Sequence, residues 1–387
     1  MKWLVALFCT GLSVLATAAE LPLVQKQQFD LAEFSTQSGV QLKQVKVGWE
    51  AYGTLNADKS NAILITHYFS GSSHAAGKYR STDAAPGYWD AIIGPGKAID
   101  TNKFYVLSVD SLANINAFSP DVITTGPASI NPATGKPYGL SFPVVTITDF
   151  VEVQRALLDT LGIKKLHAVI GPSMGSFQAI EWAVRYPERV QRLVPVIGTA
   201  YIDAYSAVRL ERWAQPIKQD PSWQQGQYPL NQQPAGLALA LAHVIQDALH
   251  PQGFNQSYPA PAQDSAIHHS IKAELPAFSQ LLSAAKGRSA QMDANSLLYL
   301  VRASQLWRAG MGDNWPQALA QVKAKTLWLP ATGDLLLTPA MAQASQQQLP
   351  SSRYQEIAGK KGVSNGHYDG LSNIQSVSQL LSDFLSH

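Results

Sequence analysis

HAVIGPSMGSFQAIEW, residues 167–182, climbs through apolar residues, breaks at Gly171-Pro172-Ser173-Met174-Gly175 and resumes as an amphipathic helix. A strand that turns this sharply into a helix needs small residues on both sides of the turn, because side chains there would strike the neighbouring backbone. Gly171 and Gly175 meet that need. Ser173 between them is then pushed out at the carboxyl end of a sheet, where a substrate can reach its hydroxyl. An ordinary loop with a convenient serine also satisfies Gly-x-Ser-x-Gly, so the surrounding sequence has to decide.

Outward from this turn, Ala62–His67, Phe104–Asp110, Leu166–Ile170 and Val190–Ile197 are short apolar runs of the buried parallel-strand type. Two alternating stretches before them, Phe29–Phe34 and Leu42–Tyr52, predict an antiparallel hairpin. A helix is expected from Asp149 to Leu161, with Asp149 and Glu152 as a capping-box-like start and Gly162 as a left-handed stop. From about Tyr201 to Pro316 the strand rhythm gives way to Gln, Pro and Trp rich sequence and helical runs such as Leu237–His250. Strands return at Thr326–Pro330 and Arg353–Ala358, and a last amphipathic helix is expected from Asn373 to Leu385. The pattern predicts an α/β architecture with a mostly parallel sheet, built from residues 20–200 and 323–387 and interrupted by a helical cap at 201–322. Trp213, Trp223, Trp307 and Trp315 fall in that cap, where they either line a substrate tunnel or fill its core.

With 387 residues, 46% of them hydrophobic, the chain can bury one large core plus an insertion. A formal net charge of +2 and the lack of a dense Lys/Arg run argue against a nucleic-acid partner. Lys2, the apolar run Leu4–Leu15 and the small residues Ala16-Thr17-Ala18 predict a cleaved export signal over residues 1–19, hence a periplasmic or secreted protein. No segment is long enough to span a bilayer, so no stable membrane anchor is expected. Cys9 lies inside the leader, and bulky Phe8 before it argues against lipidation. The mature chain then has no cysteine, which excludes disulfides, thiolate metal sites and a cysteine nucleophile. There is no His-Glu-x-x-His, Walker loop or dinucleotide fingerprint, so neither metal nor cofactor is expected.

A serine hydroxyl is too weakly acidic to attack unaided. It needs a base within hydrogen-bond reach and an acid that holds the base in the right tautomer. After a Gly-x-Ser-x-Gly turn the chain order of these partners is acid, then histidine. His367, in the glycine-rich SNGHYDG after the last strand, is the candidate base. His243, His250, His268, His269 and His387 fall in cap segments or at the terminus and read as solvated or core-edge residues. Asp334 closes the apolar run of LWLPATGD and is the candidate acid, whereas its competitor Asp313 has no strand leading into it. Two backbone donors are required for the negative oxygen that develops on the attacked carbonyl. Met174 follows the nucleophile and supplies one; the loop THYFSGSSH leaving the strand at His67 supplies the other, assigned to Phe69. Ser283-Ala-Ala-Lys286 matches a Ser-x-x-Lys pattern without its companion motifs and reads as a surface helix.

WEAYGTLN, YWDAIIGPGKAIDTNKFYVLSVDSL, TTGPASINPATGKPYGLSFPVVTITDF and GPSMGSFQAIEWAVRYPERV resemble stretches of the homoserine O-acetyltransferase family, densely from Gly48 to Thr199. The resemblance implies the α/β-hydrolase fold, the Ser173, Asp334 and His367 roles, an oxyanion hole at Phe69 and Met174, and a ping-pong acyl-enzyme mechanism. It assigns Arg212 to an amino-acid carboxylate and admits a homodimer paired through the cap. The departures are ANINAFSPDVITTGP where the family has a glycine-rich segment with a cysteine, the elbow Gly-Pro-Ser-Met-Gly-Ser in place of Gly-Gly-Ser-Met-Gly-Gly, and HVIQDALHPQGF in the cap. Acetyl-CoA is not expected outside the membrane. The first expectation is therefore an exported, carboxylesterase-like serine hydrolase acting on a small-molecule acyl ester. The alternatives are an O-acyltransferase of the homoserine type and a catalytically silent binding protein on the same fold. Amino-terminal sequencing of the protein from the extracytoplasmic fraction is expected to start next to Ala18 or Ala19; a chain still beginning at Met1 in the cytosol would contradict the leader.

Overall fold

The expected opening hairpin is present: β1 (Gln27–Ser35) pairs antiparallel with β2 (Gln41–Tyr52), Phe29 opposite Val47 and Phe34 opposite Leu42. In the computed structural model residues 22–258 and 265–387 are described. The predicted leader, 1–19, lies outside the described residues. β3 (Ala62–Thr66) follows, then a small separate parallel pair, β4 (Ile93–Gly94) and β5 (Ile99–Asp100). β6 (Tyr105–Val109), β7 (Ala168–Pro172), β8 (Arg192–Val196), β9 (Lys325–Trp328) and β10 (Arg353–Tyr354) complete an eight-stranded sheet of order β1-β2-β6-β3-β7-β8-β9-β10. β2 runs antiparallel to β6, and from β6 to β10 all neighbours are parallel. β3 and β7 are buried at every position, which explains runs without alternation: helices cover both faces.

α1 (Ile147–Thr160) begins two residues before the expected start. Its capping box uses Thr146, whose amide donates to the Asp149 carboxylate at 2.7 Å. Asp149 is thus the third helical residue rather than the cap, and Glu152 instead accepts hydrogen bonds from Arg155, Arg185 and Tyr186. Gly162, at φ +72°, ends the helix as expected. α2 (Met174–Arg185) packs beside α1, Gln154 bonding Gln178 and Trp182 in the buried seam.

Between β8 and β9 the described residues form α3 (Ala204–Lys218), α4 (Gly236–Ala248), α5 (Pro251–Ser257), α6 (Ser265–His269), α7 (Pro276–Ser289), α8 (Ala294–Gln305) and α9 (Trp315–Leu319), with no main-sheet strand among them. Apolar residues of α3, α4 and α8 join Leu64, Leu107 and Val169 of the sheet in one cluster, so these helices share a core with one sheet face. The opposite face carries Ile63, Ile65, Ile170 and Val194 against the carboxyl-terminal helix. α10 (Pro339–Gln346) and α11 (Asp369–Ser372) precede α12 (Ser378–Ser386). The expected single helix from Asn373 is broken: Ile374–Val377 form a 3-10 turn before α12 starts. Of the four cap tryptophans, Trp307 is fully buried against Phe177, Trp223 bonds Asn295 and Trp315 stacks on Tyr201. Only Trp213 reaches the cavity over Ser173.

A buried polar knot ties the hairpin to the loops after β3 and β6. Lys26 lies 2.9 Å from Glu50 and 3.2 Å from Asp110. Glu50 also accepts from Tyr52 at 2.9 Å and Ser73 at 3.1 Å, contacts His74 at 3.1 Å, and bonds Tyr79. Asp110 accepts the Ser73 amide at 2.6 Å and the Ile123 amide at 3.1 Å. Burial alone would raise the Glu50 carboxyl. The His74 bond, the Lys26 charge and the Tyr79 bond outweigh it and hold the group at about 2 against an ordinary 4.5. A carboxyl depressed in the folded state contributes stability above its unfolded value and loses it as pH falls through the folded one. Wild-type unfolding is therefore expected to lose about 3 kcal/mol between roughly pH 4.5 and pH 2. Glu50→Gln should be less stable at pH 7 with a shallower acid slope, and superimposable denaturation profiles of the two proteins would rule out this role.

Candidate active site

The carboxyl ends of β3, β6, β7 and β8 lie along one edge of the sheet, and the turn after β7 places Ser173 there. Ser173 has φ +56° and ψ −124°, a conformation that costs a non-glycine residue on the order of 1–3 kcal/mol. Its surroundings hold it. The Ser173 amide donates to Val196 O at 2.9 Å, and its carbonyl accepts from the Ser176 amide at 2.8 Å and hydroxyl at 2.6 Å. A Cβ on Gly171 would sit 2.1 Å from Thr66 Oγ1, and one on Gly175 2.1 Å from Thr66 O. Thr66 Oγ1 itself donates to Gly175 O at 2.7 Å. The two glycines are thus required by the close approach of β3.

His367 Nε2 lies 2.7 Å from Ser173 Oγ, and His367 Nδ1 lies 2.6 Å from Asp334 Oδ2. The other Asp334 oxygen accepts the Leu336 and Leu337 amides at 2.8 and 3.0 Å. An ionised carboxylate only accepts, so these partners assign the imidazole proton to Nδ1 and leave Nε2 to accept from the serine. All three side chains are buried. His367 sits in the 3-10 turn Gly366–Tyr368, whose first residue, Gly366, has φ +68°. Buried Asp369 ties this turn, accepting from the Asn365 amide at 2.9 Å and Ser364 Oγ at 3.2 Å. Burial pushes its carboxyl up.

Phe69 and Met174 both line a narrow cavity of ≈ 30 Å³ at Ser173, and among the described residues neither amide donates a hydrogen bond. The rest of the lining is mostly apolar, with Phe177, Ile202, Leu210, Trp213, Leu336 and Leu337. The Phe69 loop is held from below by His67, which the sequence shows only as a residue ending a strand. His67 Nε2 accepts the Ser111 amide at 3.0 Å, so Nδ1 carries the proton and donates to Tyr68 O at 2.8 Å. Burial lowers its pKa, consistent with a neutral ring. Asn114 and Asn116, in the segment that departs from the family, donate to Gly71 O and Ser70 O at 3.0 and 3.1 Å.

Arg212 is not part of this arrangement. Ser206, Leu210 and Trp213 form the face of α3 turned to the cavity, and Arg212 lies off that face with its side chain 52% exposed. Its guanidinium pairs with Asp247, which also takes Arg209 at 3.3 Å and Trp213 Nε1 at 2.8 Å. The structure thus pairs Arg212 with Asp247 and does not place it in the lining of the cavity at Ser173. Asp313 is exposed beside Arg308, and Ser283 and Lys286 lie on the exposed side of α7, away from the triad.

The α/β hydrolase fold family model matches residues 104–361. A curated relative, the homoserine O-acetyltransferase of Methanococcus vannielii, is 37% identical over 365 residues, 92% of this chain and 71% of the relative. Among solved structures, a homoserine O-acetyltransferase from Bacillus anthracis superposes with a TM-score of 0.90 at 36% identity, covering 95% of this chain and 99% of that one. The crystal structure of esterase E22 superposes with a TM-score of 0.91 at 54% identity, covering 94% and 100%. The curated relatives carry the transferase name, which overturns the expectation of an exported carboxylesterase in favour of the acyltransferase alternative. A silent binding protein would be expected to lack a triad member, and none is missing. The chain belongs to the homoserine O-acetyltransferase-like family of the α/β-hydrolase superfamily and is an enzyme of the serine esterase or acyltransferase type.

Proposed function

We propose that the chain is an O-acyltransferase of the homoserine O-acetyltransferase type, moving a short acyl group through Ser173 to an alcohol. Ser173 Oγ attacks the acyl carbonyl as its proton passes to His367 Nε2. The negative oxygen is held by the Phe69 and Met174 amides, and the leaving group departs with the proton from Nε2. The acceptor hydroxyl then gives its proton to Nε2, attacks the acyl-serine, and Oγ is reprotonated as the new ester leaves. Asp334 keeps Nδ1 protonated throughout and stabilises the imidazolium. The observation that carries the acyl-enzyme is the 2.7 Å contact of Nε2 with Oγ at the floor of a narrow, mostly apolar cavity. Such a lining disfavours bulk water, which would otherwise consume the acyl-enzyme. The names of the curated relatives point to an alcohol, homoserine, as the acceptor.

A fluorophosphonate is expected to label Ser173. Ser173→Ala and His367→Ala should each lower turnover by at least roughly 10⁴-fold, and Asp334→Asn by about 10⁴-fold; label on another residue would overturn the assignment. With p-nitrophenyl acetate or acetyl-CoA as donor, L-homoserine should accelerate donor consumption and yield O-acetylhomoserine. Release of acetate alone, at a rate indifferent to homoserine, would refute transfer.

A further inference from the structure

Besides Ser173, the cavity lining has three residues with polar side-chain atoms: Trp213 and Ser206 on α3, and Ser304 on α8. The Trp213 indole N–H is taken by Asp247 at 2.8 Å, outside the lining. The two serines are each 3% exposed, and the fold makes little use of their hydroxyls. Among the described residues Ser304 Oγ has no hydrogen-bond partner, and Ser206 Oγ has only the Met341 thioether, at 3.9 Å. A serine inside a helix ordinarily bonds the carbonyl four residues back, as Ser345 does on Met341 O at 2.9 Å and Ser386 on Ser382 O at 2.9 Å. Ser304 forgoes that bond to Leu300 in α8.

No charged side chain is in that lining. A zwitterionic acceptor, or the phosphates of acetyl-CoA, would lose their hydration there with nothing to replace it. The uncharged acyl chain is the part of the reactants that suits the space, and the lining also contains Phe69 and Met174, whose amides face the acyl carbonyl in the reading above. A volume of ≈ 30 Å³ has room for about two water-sized groups, so the chain is short. A plain hydrocarbon chain would leave both buried hydroxyls unpartnered, which is costly. A hydroxyl on the chain can donate to one serine and accept from the other.

We infer that Ser206 and Ser304 form a polar subsite for the acyl chain, so that the preferred acyl group is a short hydroxyacyl whose hydroxyl bonds both serines. This rests on the acyl-enzyme half of the acyltransferase reading and names the class of acyl group it moves. The bond changes stay the same. Ser173 Oγ bonds the acyl carbon, the bond from that carbon to the leaving group breaks, and the serine proton passes through His367 Nε2 to the leaving group. The chain hydroxyl emerges intact. The competing account is that the two hydroxyls hold only a buried water.

Two pairs of p-nitrophenyl esters test this, glycolate against propionate and 3-hydroxypropionate against butyrate, each pair alike in shape with a hydroxyl exchanged for a methyl. The readout is the ratio of kcat/KM within a pair, each value divided by the ester's rate of spontaneous hydrolysis. Such a ratio does not depend on how much of a variant is folded. The wild type should favour the hydroxy ester by roughly 10-fold or more in at least one pair. Ser206→Ala and Ser304→Ala should each lower that preference about 3- to 10-fold, and the double variant should bring it to about one or below. No preference in either pair would show hydroxyls that hold only water and overturn the inference, as would a preference that survives the double substitution. Acylation of Ser173 by p-nitrophenyl acetate alone would show a cavity closed to longer chains, overturning the subsite while leaving the acyl-enzyme standing. No acylation of Ser173 by any of the esters, acetate included, would instead sink the acyl-enzyme reading itself.

Discussion

The site depends on how closely β3 runs beside the turn after β7. Thr66 leaves no room for a side chain at residue 171 or 175, and its hydroxyl ties the Gly175 carbonyl, so the chain can pass from strand to helix within one residue. Ser173 absorbs the cost by taking a positive φ. That conformation lifts Oγ off the sheet edge toward His367, while the Met174 amide, at the start of α2, is left without an intrahelical partner. The candidate nucleophile and one candidate oxyanion donor are thus consequences of a single backbone constraint.

The second candidate donor, the Phe69 amide, is secured by a different device. The loop after β3 buries Phe69 against Trp213 and is otherwise fixed by hydrogen bonds: neutral His67 under Tyr68, Asn114 and Asn116 on the Gly71 and Ser70 carbonyls, and the Lys26, Glu50 and Asp110 knot on Ser73. The segment 113–127, where the sequence parts from the family, is therefore structural. Its asparagines hold the loop after β3 through the Gly71 and Ser70 carbonyls, and its backbone bonds the turn after α7 at Gln291 and Asp293.

The triad was legible because each member obeys a local rule: small residues around a strand-to-helix turn, an aspartate closing a late strand, a histidine in the loop after the last one. The parallel strands were legible for a similar reason, since burial on both faces writes continuous apolar runs into β3, β6 and β7. What the sequence concealed depends on pairing at a distance. The surroundings of Arg212 could not be read, because the face that α3 turns inward is set by its packing on the core, and that packing turns Trp213 to the cavity and pairs Arg212 with Asp247. Glu152 resembles a cap until α2 brings Arg185 and Tyr186 to it. Glu50 is one polar residue in an alternating strand, and only the strand order reveals Lys26 and His74 around it. The reaction's second half was hidden for a chemical reason, because one acyl-enzyme serves water and alcohols alike.

The central claim is that an acyl group rests on Ser173 and is taken up by an alcohol. Rapid mixing of the protein with p-nitrophenyl acetate, an acid quench, and mass analysis of the peptide containing residues 167–182 measures that species directly. The account predicts one acetyl group on Ser173 within the burst of p-nitrophenol, decaying faster as L-homoserine is added while O-acetylhomoserine accumulates in equal amount. An acetyl group found elsewhere, or an acetyl-Ser173 whose decay ignores homoserine, would contradict it.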